Sequence, residues 1–554
     1  MMFCMRAPLL RKELASAPSP FTRSVLQSPQ FNEVRRPRTI TKRFATSLPG
    51  VPPTEEEDEN SYDGKNGESR WKPIFWKSLE STATTLASVS VLGLIGYSYT
   101  LYYKDLILRK MEHAFEPGDP VLELAATGKE LHEREHWILR DEQVLLDSIV
   151  SGKTKGSYYL LVGEKGTGKS SMLIDAMAKI EGEGVAMFDA HSDLEIFRVR
   201  LGKALDFEYH EDNIGSLFSI RGPRDASALL DIERAFNKLE KVALRRRKNH
   251  GKPLILIINN MHLLRDDEDG RDLLELLQQR AEQWSASNLA TVIFNSDDYW
   301  VYERLKQLAT RMSVVPVPDL SREQALSALQ RYRRRYFSGE TPKLEILDQI
   351  YEKVGGRLAF LNRVAKSPDM LKTCDDICRT EKTWFLNQCW ILGETMDDDV
   401  MEHGKFSSAA MVMAKALVDK EKEEESKYDS SGGHVLPQIP LHEARQIMTR
   451  ADYIQTYDAI NIFTIDSRAM VRADSVPMMN AFREICGQEG FDEHLEATLD
   501  RVSAIESLGR TKELTIKDLW NNGKYRITTR DSKGGVQKTI NFEMQEEEKG
   551  DDNN

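Results

Sequence analysis

The chain has 554 residues, 40% hydrophobic and 30% charged, with a net charge of -12 at pH 7. At roughly 150 residues per domain that length holds about three or four structural units, and the apolar share excludes a wholly disordered chain. An acidic body excludes a general nucleic-acid binder, because phosphate contacts need a basic face; a local basic patch stays open.

Residues 1–47 come first. Arg6, Arg11, Lys12, Arg23, Arg35, Arg36, Arg38, Lys42 and Arg43 stand there against Glu13 and Glu33, among serines and prolines and without an apolar secretory core. That is the profile of a mitochondrial transit peptide; the alternative is a disordered basic tail. Residues 48–77 read as an acidic linker, polar through 69. Residues 78–104 read as a transmembrane helix. Ser81–Tyr103 holds no charged residue, and at about 1.5 Å per residue it spans the ~30 Å hydrocarbon core. Lys77 and Lys104 flank it. Trp71 and Trp76 on one side, and Tyr97, Tyr99, Tyr102 and Tyr103 on the other, suit interfacial belts. A buried soluble helix is the competing reading. Ser90, Gly93 and Gly96 would let two such helices approach closely.

From 120 to 320 short apolar runs alternate with amphipathic helical patterns. The runs are Tyr158–Val162, Val185–Phe188, Leu254–Ile258, Ala290–Phe294 and Val314–Val317. This is the pattern of a parallel sheet covered on both faces. Residues 321–418 read as a helical lid, 419–435 as a charged, Ser/Gly-rich linker, and 436–512 as helices around a short apolar segment. Residues 513–554 form a C-terminal extension, with an acidic, disordered tail from 540. Cys374, Cys378 and Cys389 have no histidine near them and read as buried thiols rather than a metal site.

The sharpest signal is Gly163-Glu164-Lys165-Gly166-Thr167-Gly168-Lys169-Ser170, followed by Ser171. It fits G-x-x-x-x-G-K-[ST] at every fixed position, at a strand-to-helix junction. The glycines let backbone N–H groups wrap a phosphate, and the helix N-terminus adds partial positive charge. Lys169 is expected on the β- and γ-phosphates and Ser170 on Mg²⁺. No N-K-x-D base reader for GTP is present; Asn237-Lys238-Leu239-Glu240 ends in Glu inside a helical pattern. The ligand expected is therefore ATP with Mg²⁺.

Such a site calls for an acid after a second apolar strand. Here Leu254–Ile258 is followed by Asn259 and Asn260. An amide can hydrogen-bond a metal-bound water but cannot act as a base. Either the strand is misaligned or the site binds ATP and turns it over slowly. Asp189, at the end of the second apolar run, is one substitute base, and Asp266 and Asp267 lie further along. If the Asn pair is catalytic, Asn260→Glu is expected to raise turnover. Asn295 ends the fourth strand, where an amide can hold a water near the γ-phosphate. Arg311 precedes the fifth strand, where it can reach a neighbouring subunit's nucleotide; Arg304 is a weaker candidate. Arg357, in Gly355-Gly356-Arg357, can approach the γ-phosphate from a lid.

Together GEKGTGKSS, PLILIINNMHLL, TVIFNSD, VPVPDLSREQALSAL and GGRLAFLNR resemble an AAA+ ATPase, closest to the origin-recognition-type and archaeal-type branch. Only the first string is specific alone. The resemblance implies an α/β fold: a P-loop NTPase parallel sheet with a helical lid, followed by a winged-helix-like domain. LHEARQIMTR, ADYIQTYDAINIFTID, AMVRADS and PMMNAFREIC are similar to such a winged helix. Its Asp452, Asp458 and Asp466 favour protein contact over DNA. With the N-terminal transmembrane helix, the whole resembles a fungal-type, membrane-anchored member of the mitochondrial inner membrane. Two function classes follow: a slow ATPase or nucleotide-gated scaffold acting on a protein partner, and an active homo-oligomeric ATPase remodelling membrane proteins. Organelle nucleic-acid maintenance is the third.

Overall fold

The structure, a computed structural model, describes residues 71–118, 138, 140–209, 227–337, 342–391, 401–425, 434–448, 450–512, 525–530 and 536–542. The transit-like stretch 1–47 and linker residues 48–70 lie outside them. Contacts divide the chain into Met1–Ser81 and Thr82–Asn554; of the first unit, only the opening of α1 is described.

Five parallel strands carry the site: β1 (Tyr158–Val162), β2 (Val185–Asp189), β3 (Leu254–Asn259), β4 (Ala290–Ser296) and β5 (Met312–Pro316), in the order β2-β3-β4-β1-β5. Successive residues face opposite sides of a sheet, and each side here has its own core. Tyr159, Leu161, Ile255, Ile257 and Ile293 pack with α2 (Asp141–Val150) and α3 (Lys169–Ala178). Tyr158, Leu160, Leu256 and Phe294 join a larger core with α4 (Leu194–Ala204), α5 (Ala228–His250), α6 (Glu268–Ser287) and α7 (Tyr299–Leu308). Burial on both faces is why these strands read as unbroken apolar runs.

A lid follows: α8 (Arg322–Tyr336), α9 (Leu344–Val354), α10 (Leu358–Lys366) and α11 (Met370–Gln388). It has a separate core around Leu329, Leu347, Ile350, Leu361 and Ile377. Within it Cys374 is buried and Cys378 is half-buried, its thiol 3.6 Å from the Lys353 carbonyl; Cys389 is buried in the main core. Among the described residues no cluster of ligating side chains could hold a metal ion.

The winged helix comprises α13 (Leu441–Ile447), α14 (Tyr453–Ala459) and α15 (Val476–Cys486) with the antiparallel sheet β6-β8-β7 (Ile439–Pro440, Met470–Ala473, Phe463–Ile465). Two boundaries differ from those expected. Helix α12 (Met401–Glu425), assigned by sequence partly to the lid, packs instead on α13, α14, α15 and α16 (Phe491–Lys512), because its apolar face, Ala409 to Leu417, joins the winged-helix core. The C-terminal extension contains a hairpin, β9 (Tyr525–Arg530) and β10 (Val536–Phe542), so residues 540–542 are strand rather than tail.

Helix α1 runs unbroken over Trp71–His113. It begins inside the expected linker and continues past the expected span. Its stretch Leu79–His113 is long and apolar enough to cross a membrane, and its most apolar window is exposed. The far end is docked. Met111 and Phe115 are fully buried in the main core, Asp105 pairs with Arg245 of α5 at 3.0 Å, and Phe115 accepts from the Gly184 N–H at the start of β2 at 2.9 Å. The apolar helix therefore enters the core of the parallel sheet without a linker.

Candidate functional site

The C-terminal ends of β1, β3 and β4 bring together the loop after β1, Asn259 and Asn295. Gly166 and Gly168 adopt φ of +85° and +101°, a left-handed backbone that admits glycine with little strain. Among the described residues the N–H groups of Gly168, Lys169 and Ser170 meet no backbone acceptor, as expected at a helix start. Lys169 is 4% exposed. Its Nζ donates to the Gly163 and Glu164 carbonyls at 2.7 and 2.9 Å and pairs with Asp297 at 2.7 Å. Lys165 and Ser171 are exposed, so the loop's inner surface is built from backbone, Lys169 and Ser170.

Ser170 sits in a net of amides. Its Oγ donates to Asn259 Oδ1 at 2.9 Å, and Asn295 Nδ2 donates to Ser170 Oγ at 3.1 Å and to Asn259 Oδ1. Asn259, at the end of β3, thus lies against the Ser170 hydroxyl and Asn295. Asn295 is 1% exposed, and among the described residues its Oδ1 meets no donor. A buried acceptor of this kind asks for a partner, and the Ser170 hydroxyl with the Asn259 amide oxygen beside it is the kind of oxygen pair a hard cation takes. These residues fit Mg²⁺: Ser170 would ligate it, and Asn259 and Asn295 would hold its waters.

Asp189 ends β2 in register with Asn259. Its Oδ1 accepts from Asn259 Nδ2 at 2.7 Å and from Asn260 Nδ2 at 3.0 Å. Asn260 itself has φ +54°, which asparagine tolerates better than glutamate. The expected gain from Asn260→Glu is therefore corrected: a glutamate there would be strained and would set a second carboxylate against Asp189.

The arginines divide. Arg357 is 3% exposed and pairs with Asp319 at 3.2 Å and Asp474 at 2.5 Å. Burial disfavours its charge, but the two carboxylates more than offset that and raise its pKa. It is expected at the γ-phosphate, yet its guanidinium joins the lid to the winged helix; only its stem lies near Gly166. Arg311 is exposed at the start of β5, at the end of the sheet opposite the loop, so it cannot serve this chain's own site. Arg304 pairs with Asp266, and Asp267 caps α6 by accepting from the Gly270 N–H at 2.9 Å, so neither acid belongs to the site.

Four residues escaped the sequence reading. Arg140, preceding α2, donates to the Thr167 carbonyl at 2.8 Å and to the Pro318 carbonyl, bracing the loop against the strand that leads to the lid. Asp297 competes with phosphate for Lys169. His262 lies 3.8 Å from Asp297, its pKa lowered chiefly by burial. Arg472 of β8 pairs with Glu164 inside the loop. Only Asp297 had a local cue, its place just after the expected Asn295; the others depend on contacts distant in sequence.

The lid touches the loop directly. The Ala359 N–H donates to the Gly166 carbonyl at 3.1 Å, and a Cβ on Gly168 would lie 2.9 Å from Leu358. Residues 136–293 match the family model described as AAA ATPase domain, and residues 387–506 match that described as fungal AAA protein, C-terminal winged helix domain. Solved structures similar to this chain include the Walker-type ATPase of Pyrococcus abyssi (12% identity, 63% of this chain and 97% of that one, TM-score 0.40). Others are Cdc6p of Pyrobaculum aerophilum (11%, 68% and 95%, 0.29) and the Aeropyrum pernix Orc1 protein in complex with DNA (15%, 66% and 94%, 0.32). No curated protein matches the chain. The chain thus carries an AAA ATPase domain followed by a winged-helix domain of the fungal AAA type.

Proposed function

We propose that this is a membrane-anchored mitochondrial AAA+ protein that binds Mg-ATP and uses it to set the position of its winged-helix domain toward a protein partner, with slow turnover. The observation that carries the reading is the contact between winged helix and phosphate loop. Arg472 pairs with Glu164, and Arg357 ties Asp319 to Asp474 within the same layer. Both pairs are largely buried, where breaking one partner is costly. A phosphate entering the loop acts on Lys169, Asp297 and the adjacent Glu164, and so on the tie to the winged helix.

Slow turnover follows from the acceptors around Ser170. Its hydrogen-bond partners are amides, and an amide takes no proton from an attacking water. Bound Mg²⁺ would supply the charge that neutralises the phosphates. The chain's own residues would orient its waters through Asn259 and Asn295 and hold the β-phosphate with backbone N–H groups and Lys169. The membrane part rests on α1, which joins an exposed apolar stretch to the core without a linker; the mitochondrial part rests on the basic, acid-poor residues 1–47. Exposed Arg311 favours a second reading, an active homo-oligomer in which that residue meets a neighbour's nucleotide.

Limited proteolysis of the full chain, with and without Mg-ATP, tests the gating. Cleavage between α11 and α12, where the lid gives way to the winged-helix unit, should change on adding ATP, and Lys169→Ala should abolish the change. An identical digestion pattern with ATP bound would refute the gating.

A further inference from the structure

Strand β3 lacks the carboxylate its position calls for, and β2 provides one beside it. Asp189 and Asn259 are register partners, and one oxygen of Asp189 accepts from the amides of both Asn259 and Asn260. We infer that Asp189 is the acidic group of the magnesium site, acting through Asn259 as a positioning residue from β2. The inference rests on the nucleotide-binding reading.

The argument is one of donors and acceptors. A primary amide has one end that accepts and one that donates, nearly equal in shape, so its surroundings decide which end faces where. An ionised carboxylate only accepts. Asp189 therefore draws Asn259 Nδ2 to itself and leaves Oδ1 toward Ser170 Oγ, which donates to it at 2.9 Å. That is the orientation a cation requires. A flipped Asn259 would aim its NH2 hydrogens at the metal's ligand and its shell. Asn260 carries the second NH2 on Asp189, and its left-handed backbone keeps the amide within reach. The backbone under Asp189 is held as well. The Ala190 N–H donates to the Asn259 carbonyl at 2.8 Å, and Arg200 Nη1 donates to the Asp189 and Ala190 carbonyls at 3.2 and 2.9 Å. The carboxylate thus contributes a negative charge one side chain away from the cation, where β3 would otherwise have contributed it directly. On the other side of the net, Asn295 Nδ2 donates to Asn259 Oδ1 as well, and so favours the same orientation of the Asn259 amide.

ATP affinity of the full chain, measured by calorimetry in magnesium and again in EDTA, separates this role from simple bracing of the strand ends. Asp189→Asn should cut the gain in affinity that magnesium provides about tenfold, the low end for loss of an outer-shell partner, and leave the EDTA affinity unchanged. The charge swap, Asp189→Asn with Asn259→Asp, should restore the gain. An unchanged magnesium gain in Asp189→Asn, or an equal fall in both conditions, would overturn the proposal. If Asp189→Asn does not fold, Asp189→Ser decides in its place: a smaller magnesium gain with unchanged EDTA affinity supports the coupling, and an unchanged gain overturns it. A wild type that binds no ATP in either condition would instead remove the nucleotide reading on which the proposal stands.

Discussion

Lys169 shows how one side chain serves three acceptors. Its ammonium is held by two loop carbonyls and by Asp297, and a nucleotide must take the place of the carboxylate. Lys169→Ala should weaken ATP binding at least tenfold, about 1.4 kcal/mol, and unchanged affinity by calorimetry would contradict the phosphate site. Asp297→Asn should act in the opposite direction. It removes the competitor and leaves a buried ammonium in need of an anion, so ATP should bind several-fold more tightly while the protein without ligand unfolds at lower temperature. Paired titrations and melting curves of the two variants check both statements. At this scale the sequence was legible where chemistry follows a fixed local spacing. Gly163 to Ser170, Asn259 and Asn295 lie within one another's reach as expected. Arg357 was misread because its partners, Asp319 and Asp474, come from other elements, and no local pattern records a buried ion pair across 117 residues.

At the scale of elements, the winged helix meets the core through a second buried group. Asp298, at the start of α7, is pushed up to about 7, first by burial and then by Asp297. Asp458 of α14 is raised as well, by burial and by Asp298, while accepting from the Tyr299 N–H at 2.7 Å. For a carboxyl whose folded pKa is raised, the stabilising contribution is fully present below the unfolded value near 4 and is lost as pH rises through the folded one. Stability should therefore fall by roughly 1 kcal/mol between pH 6 and pH 8 from Asp298, and Asp298→Asn should flatten that fall. Urea unfolding at the two pH values measures it; an equal fall in both proteins would contradict the assignment. The elements themselves were largely legible. Runs of apolar residues gave away the strands because both sheet faces are covered, and the winged-helix strings correspond to α13, α14, β7, β8 and α15. The placement of α12 was not legible: a charged break after Lys420 resembles a domain boundary, whereas the packing boundary lies before Met401.

Across the whole molecule, one path of contacts runs from the apolar helix to the winged helix. Helix α1 and the turn after it seat Met111 and Phe115 in the main core, β2 carries Asp189 to the amide net, and the phosphate loop passes to Arg472 and Arg357. Amides supply no base, and the proposed function is therefore a site that holds Mg-ATP without rapid chemistry. Side-by-side measurement of Mg-ATP binding and steady-state hydrolysis by the full chain tests it most directly. The account predicts saturable binding that Lys169→Ala abolishes, with turnover well below the ~1 s⁻¹ low end of typical enzymes. Turnover of several per second, also abolished by Lys169→Ala, would contradict it.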